Sequence, residues 1–111
     1  MSSREIGKIT SVGIHGVIAD VNSDLGNYIN TIDGILFVGE VGSYVSIYEI
    51  GRTVIAEIIG VDEKTQLINS KELVKPNSKR QIYLNLIGEI VDDKFQFGVS
   101  KMPLIFSTVY I

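Results

Sequence analysis

The feature that most limits what this chain can fold into is the chemistry of its apolar residues: 18 Ile and 12 Val stand against only 7 Leu and 2 Ala. Side chains branched at Cβ are stiff at χ1 and pack well on a pleated surface, whereas Leu and Ala suit helices. The chain is therefore strand-built. Its 11 Gly are scattered between apolar segments rather than gathered in one phosphate-type loop. Short apolar segments punctuated by glycine describe a small barrel or sandwich.

At 111 residues the chain is read as one domain, 1–111, long enough to bury a core without cross-links. It has no Cys, which excludes disulfides, a thiolate metal site and a thiol nucleophile. That usage agrees with a cytoplasmic location, which is the expectation. The opening Met1-Ser2-Ser3-Arg4-Glu5 lacks the apolar region of a signal peptide. No apolar run exceeds four residues, too short for a membrane-spanning helix, and no membrane contact is expected. Non-specific nucleic-acid binding rests on clustered Lys and Arg, so a net charge of −3 argues against that role for the chain alone.

Alternation predicts strands over 5–12 and 14–21, the second with Val17, Ala19 and Val21 on one face and Ile14 and Ile18 on the other. Residues 22–27 read as a loop, and 28–36 as an irregular excursion or a weak strand ending at Asp33-Gly34. The clearest period of two is 42–48, with Tyr44, Ser46 and Tyr48 opposite Val45 and Ile47. Long strands follow at 52–61 and 80–91. The first places Val54, Ala56 and Ile58 opposite Ile55, Ile59 and Val61. The second places Ile82, Leu84, Leu86 and Ile90 opposite Tyr83, Ile87 and Val91. Between them, 62–79 is the most polar stretch and reads as a surface insertion with one or two helical turns over 66–74. Asp92-Asp93 predicts a tight hairpin turn into 94–98, and 108–111 a final strand. The expected architecture is an all-β, six-stranded, closed or nearly closed barrel with one polar insertion loop. The chain stops on Val109-Tyr110-Ile111 in mid-strand, where domains usually trail off in polar residues. This suggests a domain cut from a longer protein, the alternative being a terminal strand tucked into the barrel.

The order of features resembles the HAS barrel, the N-terminal β-barrel of HerA-like DNA-translocating ATPases. Ile6-Gly7-Lys8-Ile9 and Gly16-Val17-Ile18-Ala19-Asp20-Val21 look like the family's paired first strands. Gly42-Ser43-Tyr44-Val45-Ser46-Ile47 looks like its G-x-Y-V-x-I strand, and 54–61 and Leu86-Ile87-Gly88-Glu89-Ile90 like the two that follow. Phe97-Gly98-Val99-Ser100-Lys101-Met102-Pro103, then Val109-Tyr110, looks like its closing segment. No one piece is specific, since glycines between strands are common; the ordered set carries the likeness. The resemblance implies a barrel that caps a hexameric ring, helps subunits associate and offers a surface to a NurA-type nuclease or a sirtuin-like effector. It would serve DNA end processing or bacterial antiviral defence. DNA would be met only through the parent assembly. The resemblance also implies a separate motor domain that uses ATP and magnesium; no G-x-x-x-x-G-K-[ST] occurs in these 111 residues, so ATP hydrolysis is not assigned to this chain. No cofactor is expected in this chain, and the chain is not expected to be an enzyme.

The remaining chemistry is sparse. The single histidine, His15, has no Ser/His/Asp or Cys/His set around it in sequence. Asp62-Glu63 and Asp92-Asp93 suit turns, and a metal site needs more converging ligands. Gly39-Glu40-Val41-Gly42 precedes a strand, whereas a phosphate loop opens a helix. Lys71, Lys75, Lys79 and Arg80 form a candidate basic contact loop, with a solvated loop as the plainer reading. The second faces of the long strands pose a question of cover. Ile55, Ile59, Val61, Ile87 and Val91 cannot all point into a six-stranded barrel together with their alternates, and monomers rarely expose a large apolar patch. These five are the candidate subunit or partner interface, unless a loop covers them. A stand-alone nucleic-acid-binding barrel of OB type is the alternative function. It requires a basic groove with exposed aromatics.

Overall fold

In the computed structural model, residues 4–13, 16–22, 28–31, 34–37, 40–66 and 77–111 are described, with the backbone alone for 28–31, 35–37, 63–66 and 77–79. The Ile/Val segments form strands β1 (Glu5–Gly13), β2 (Gly16–Val21), β5 (Tyr44–Glu49), β6 (Arg52–Gln66), β7 (Asn77–Val91) and β9 (Thr108–Tyr110). β3 (Tyr28–Thr31) and β4 (Gly34–Phe37) make a separate antiparallel hairpin in the stretch read as an excursion, and β8 (Lys94–Phe97) follows the Asp92-Asp93 turn.

Around the main sheet the order is β2-β1-β9-β5-β6-β7, and β2 pairs again with β7, so six strands close into an antiparallel barrel. The short β9 is the keystone. It lies antiparallel to both β1 and β5, with Val109 opposite Gly7 on one side and Ile47 on the other. β7 is shared: one edge runs along β6, while the other pairs with β2 over 80–84 and with β8 over 88–91. β8 is thus a seventh strand outside the closed ring.

The interior follows period two on β2 and β5, whereas on β1 Ile6 and Ile9 are both buried because register slips against β9 between Glu5 and Gly7 and against β2 between Ile9 and Ser11. Ile6, Ile9, Val17, Ala19, Val45, Ile47, Val54, Ala56, Ile58, Ile82, Leu84 and Val109 are buried, so every strand of the ring feeds the core. Burying one such Ile or Leu side chain contributes roughly 1.5–3 kcal/mol. The strands crowd most closely at Gly7. A methyl group built there would stand 1.9 Å from the Asp20 carbonyl oxygen of β2, so no side chain fits.

Two expectations are corrected. The polar stretch does not begin as a loop: residues 62–66 continue β6 and pair with 77–81 of β7, and beyond the last β2 partner, Val21 opposite Arg80, residues 64–66 and 77–79 form a two-stranded arm. A hairpin pairs its inward backbone groups across the two strands and leaves the outward ones to water, so polar residues suit it. The helical turns expected over 66–74 fail at Gln66, which is in strand, while 67–74 lie outside the described residues. Second, the faces of β6 and β7 do not alternate throughout. Register slips past Ile59 on β6, between the pairs Ile58–Leu84 and Gly60–Tyr83, and past Ile87 on β7, between Gly88–Ile55 and Leu86–Ala56. Each bulge inserts one unpaired residue and reverses the phase beyond it. Ile90 therefore leaves the interior side and stands opposite Thr53, while Glu89 takes the place opposite buried Val54.

Candidate interface surfaces and a polar clamp

The bulges divide the five candidate interface residues. Ile55 is on the outer face, half-buried between Ser46 of β5 and Gly88 of β7. Ile59, at the β6 bulge, is 55 % exposed. Ile87, at the β7 bulge, is half-buried. Val61 lies beyond the β6 bulge in phase with core residue Ile82 and is 38 % exposed. Val91 lies beyond the β7 bulge in phase with Glu89 and is half-buried. The single outward stripe is corrected to one paired exterior residue, Ile55, two bulge residues, Ile59 and Ile87, and two on the interior side, Val61 and Val91. Part of the cover comes from β8. A Cβ added to Gly88 would meet the Phe95 ring at 2.7 Å, so that ring lies over β7 on the outer face.

The candidate basic loop is corrected too. Lys79 and Arg80 belong to β7, where Lys79 stands opposite Lys64, and half-buried Arg80 stands between Glu63 and Val21. Lys71 and Lys75, like His15, lie outside the described residues. Asp62-Glu63 is in strand rather than a turn. Asp92-Asp93 is the expected turn, with positive φ of 52° and 62°. Among the described residues no three His, Asp or Glu side chains are placed to share a metal ion. Gly42 is a turn glycine with φ 93° before β5.

Sequence reasoning missed a network of hydrogen bonds around Glu89, Arg52 and Glu49. Glu89 points into one end of the barrel and is 1 % exposed. Its Oε1 accepts hydrogen bonds from the Ser100 N–H (3.0 Å) and the Ser100 hydroxyl (2.8 Å), and Arg52 Nη1 stands 3.4 Å away. Arg52 also donates to Glu49 Oε1, at 2.8 Å from Nη2 and 3.1 Å from Nε. The other Glu49 oxygen accepts from the Leu104 N–H (2.8 Å) and the Ser107 hydroxyl (2.9 Å). The Ser100 N–H and hydroxyl hold the Glu89 carboxyl below its ordinary pKa against its burial, with Arg52 assisting. For Glu49 burial pushes upward, but the Leu104 N–H, Arg52 and Ser107 together bring the pKa below its ordinary value. This clamp ties β5, β6 and β7 to the segment that returns to β9. Only Glu49 and Arg52 are near in sequence; Glu89 and the segment from Ser100 to Ser107 come from far along the chain, and a bulge turns Glu89 inward, so no spacing announces it.

The segment held by the clamp displays apolar side chains. Leu104, Ile105 and Phe106 are exposed on a turn closed by Ser107 N–H to Leu104 O, and Phe106 takes φ 72°. On the outer face of the barrel, Tyr44 and Tyr48 of β5 are 60 % and 57 % exposed, and Tyr48 lies 4.8 Å from the Tyr110 ring at a tilt of 52°. No family model matches this chain, and no curated protein matches it.

Proposed function

We propose that this chain is a non-catalytic assembly and partner-docking barrel of a HerA-like ring ATPase, serving a DNA end-processing or antiviral defence complex. The observation that carries this reading is the closed six-stranded barrel itself, sealed by a short strand at Thr108–Tyr110. A barrel of this form, joined to the ordered motifs from Ile6-Gly7 to Val109-Tyr110, is what the HAS-barrel likeness requires. Its exposed apolar residues sit on rigid strands and clamped turns, as docking surfaces need. The partners proposed are neighbouring subunits in a hexameric ring and a nuclease or sirtuin-like effector. DNA is met through the assembly, which works in the cytoplasm. ATP turnover with magnesium belongs to the parent's motor domain.

The test is Ile59→Asp in the full-length parent protein. Ile59 is the most exposed of the candidate residues, so the barrel stays folded. A charge at a desolvated contact loses the burial of one Ile, roughly 1.5–3 kcal/mol, and adds a desolvation cost. The expected outcome is a ring that dissociates, seen as a fall in solution mass with an unchanged far-UV spectrum. An intact ring would remove this surface from the assembly.

One observation favours a second reading, a nucleic-acid-binding barrel of OB type. Tyr44, Tyr48 and Tyr110 form an aromatic platform of the kind on which bases stack. Against it, Glu57 stands opposite Tyr44 and the net charge is −3, so phosphates find little attraction. Tight quenching of tyrosine fluorescence by a single-stranded oligonucleotide, lost in Tyr48→Ala, would favour this reading over assembly.

A further inference from the structure

β8 is the loose end of an otherwise closed sheet. Its inner edge pairs with β7 from Val91–Lys94 to Gly88–Phe97, and the Gly98 N–H continues that ladder to Ile87 O at 3.0 Å. In an antiparallel pair, backbone groups point alternately toward and away from the partner. Lys94, Gln96 and Gly98 therefore turn theirs to β7, and Phe95 and Phe97 turn theirs outward. Among the described residues no strand pairs with that outward edge, and all four residues of β8 are exposed. The same two residues also carry the apolar surface. Their rings meet edge to face at 5.1 Å on the outer side of the sheet, and Phe97 is 84 % exposed. Proteins usually blunt a free edge with proline, inward charge or a covering element. β8 has only Lys94, at its first position.

We propose that β8 is a homotypic pairing edge, by which two copies of this chain join antiparallel about a two-fold axis through Gln96. In that register Phe95 of each copy faces Phe97 of the other. Both are outward residues, so each such pair exchanges its two backbone hydrogen bonds, and the rings form cross-strand aromatic pairs on one face. A shift of one residue would set Phe95 against Gln96 and put the side chains on opposite faces, so the register selects itself. Charge agrees with it. The acidic turn Asp92-Asp93 of each copy comes to the Gly98 end of the other, where Lys101 follows three residues on. A two-fold contact closes on itself and cannot propagate around a ring. It would join two barrels, or two rings through their barrels. The inference thus goes beyond the assembly proposed above and stands on β8 alone.

The test is sedimentation of this chain over roughly 10 µM to 1 mM, the range in which a short strand pair associates. The expected mass rises from one copy to two. Phe97→Pro removes an outward N–H that β7 does not use, so this variant should stay at one copy across the range while the Gly98 amide remains protected. Phe97→Lys, a charged edge without a backbone change, should do the same and covers the case in which proline disturbs the hairpin. A chain that sediments as one copy throughout, a series that grows past two, or a dimer that survives both variants would overturn the proposal.

Discussion

Phe106 carries a conformation that its side chain does not explain. A bulky residue with φ 72° sits where glycine is at home, and such strain costs on the order of 1–3 kcal/mol. Its N–H donates to Ile9 O at 2.7 Å and the next N–H to Leu104 O at 3.2 Å, so the ladder beside β1 holds the turn in place. The ring gains little by it, being 73 % exposed. Phe106→Gly removes the strain and gives back roughly 0.5–1 kcal/mol through a more flexible unfolded chain. A net gain of about 1 kcal/mol in stability is expected from urea melts. A loss instead would mean that the ring itself holds the turn. A gain in stability would leave display of an apolar tip as the reason for phenylalanine here, because strain of this kind collects at working surfaces.

The Asp92-Asp93 turn, which closes β8 onto β7, has both central residues at positive φ. Asp tolerates that conformation and β-branched residues do not. Asp93→Val should cost about 1–2 kcal/mol and loosen β8 before the barrel, with faster hydrogen exchange at the Gly98 amide than at amides within the ring. Equal acceleration everywhere would mean that β8 and the barrel unfold as one. At this scale the sequence was readable where period and punctuation agree. Val45 and Ile47 against Tyr44, Ser46 and Tyr48 marked β5 and its buried face, and the paired aspartates marked the turn. The bulges at Ile59 and Ile87 were not readable, since an inserted Ile looks like its neighbours and only the partner strand reveals it as extra. Those slips moved Val61 and Val91 off the supposed outer stripe. The extension of β6 over 62–66 was hidden for a different reason: a polar strand that ends in a two-stranded arm has the composition of a loop.

At the scale of the whole molecule, closure depends on two kinds of bond. One end and the middle of the barrel are held by apolar packing and the ladder. The other end is held by the clamp, in which Glu89 and Glu49 join β5, β6 and β7 to the segment feeding β9. Both carboxyls titrate below their ordinary value in the folded chain, whereas in the unfolded chain they return to the ordinary glutamate range. The unfolded state therefore takes up protons first as the solution is acidified. The clamp's contribution is present in full above that unfolded range and is lost as pH falls through the lower folded values. The melting temperature should hold from neutral pH down to about 5 and then fall. Glu89→Gln supplies the control. Its amide cannot ionise, leaves Arg52 without that charge and turns an N–H₂ toward donors, so this variant should melt several degrees lower at neutral pH. Because it has no charge to lose at this site, its curve should approach that of the natural chain as the pH drops. Two curves that stay parallel from neutral pH to acid would mean that Glu89 acts by shape alone and that acid opens the barrel elsewhere.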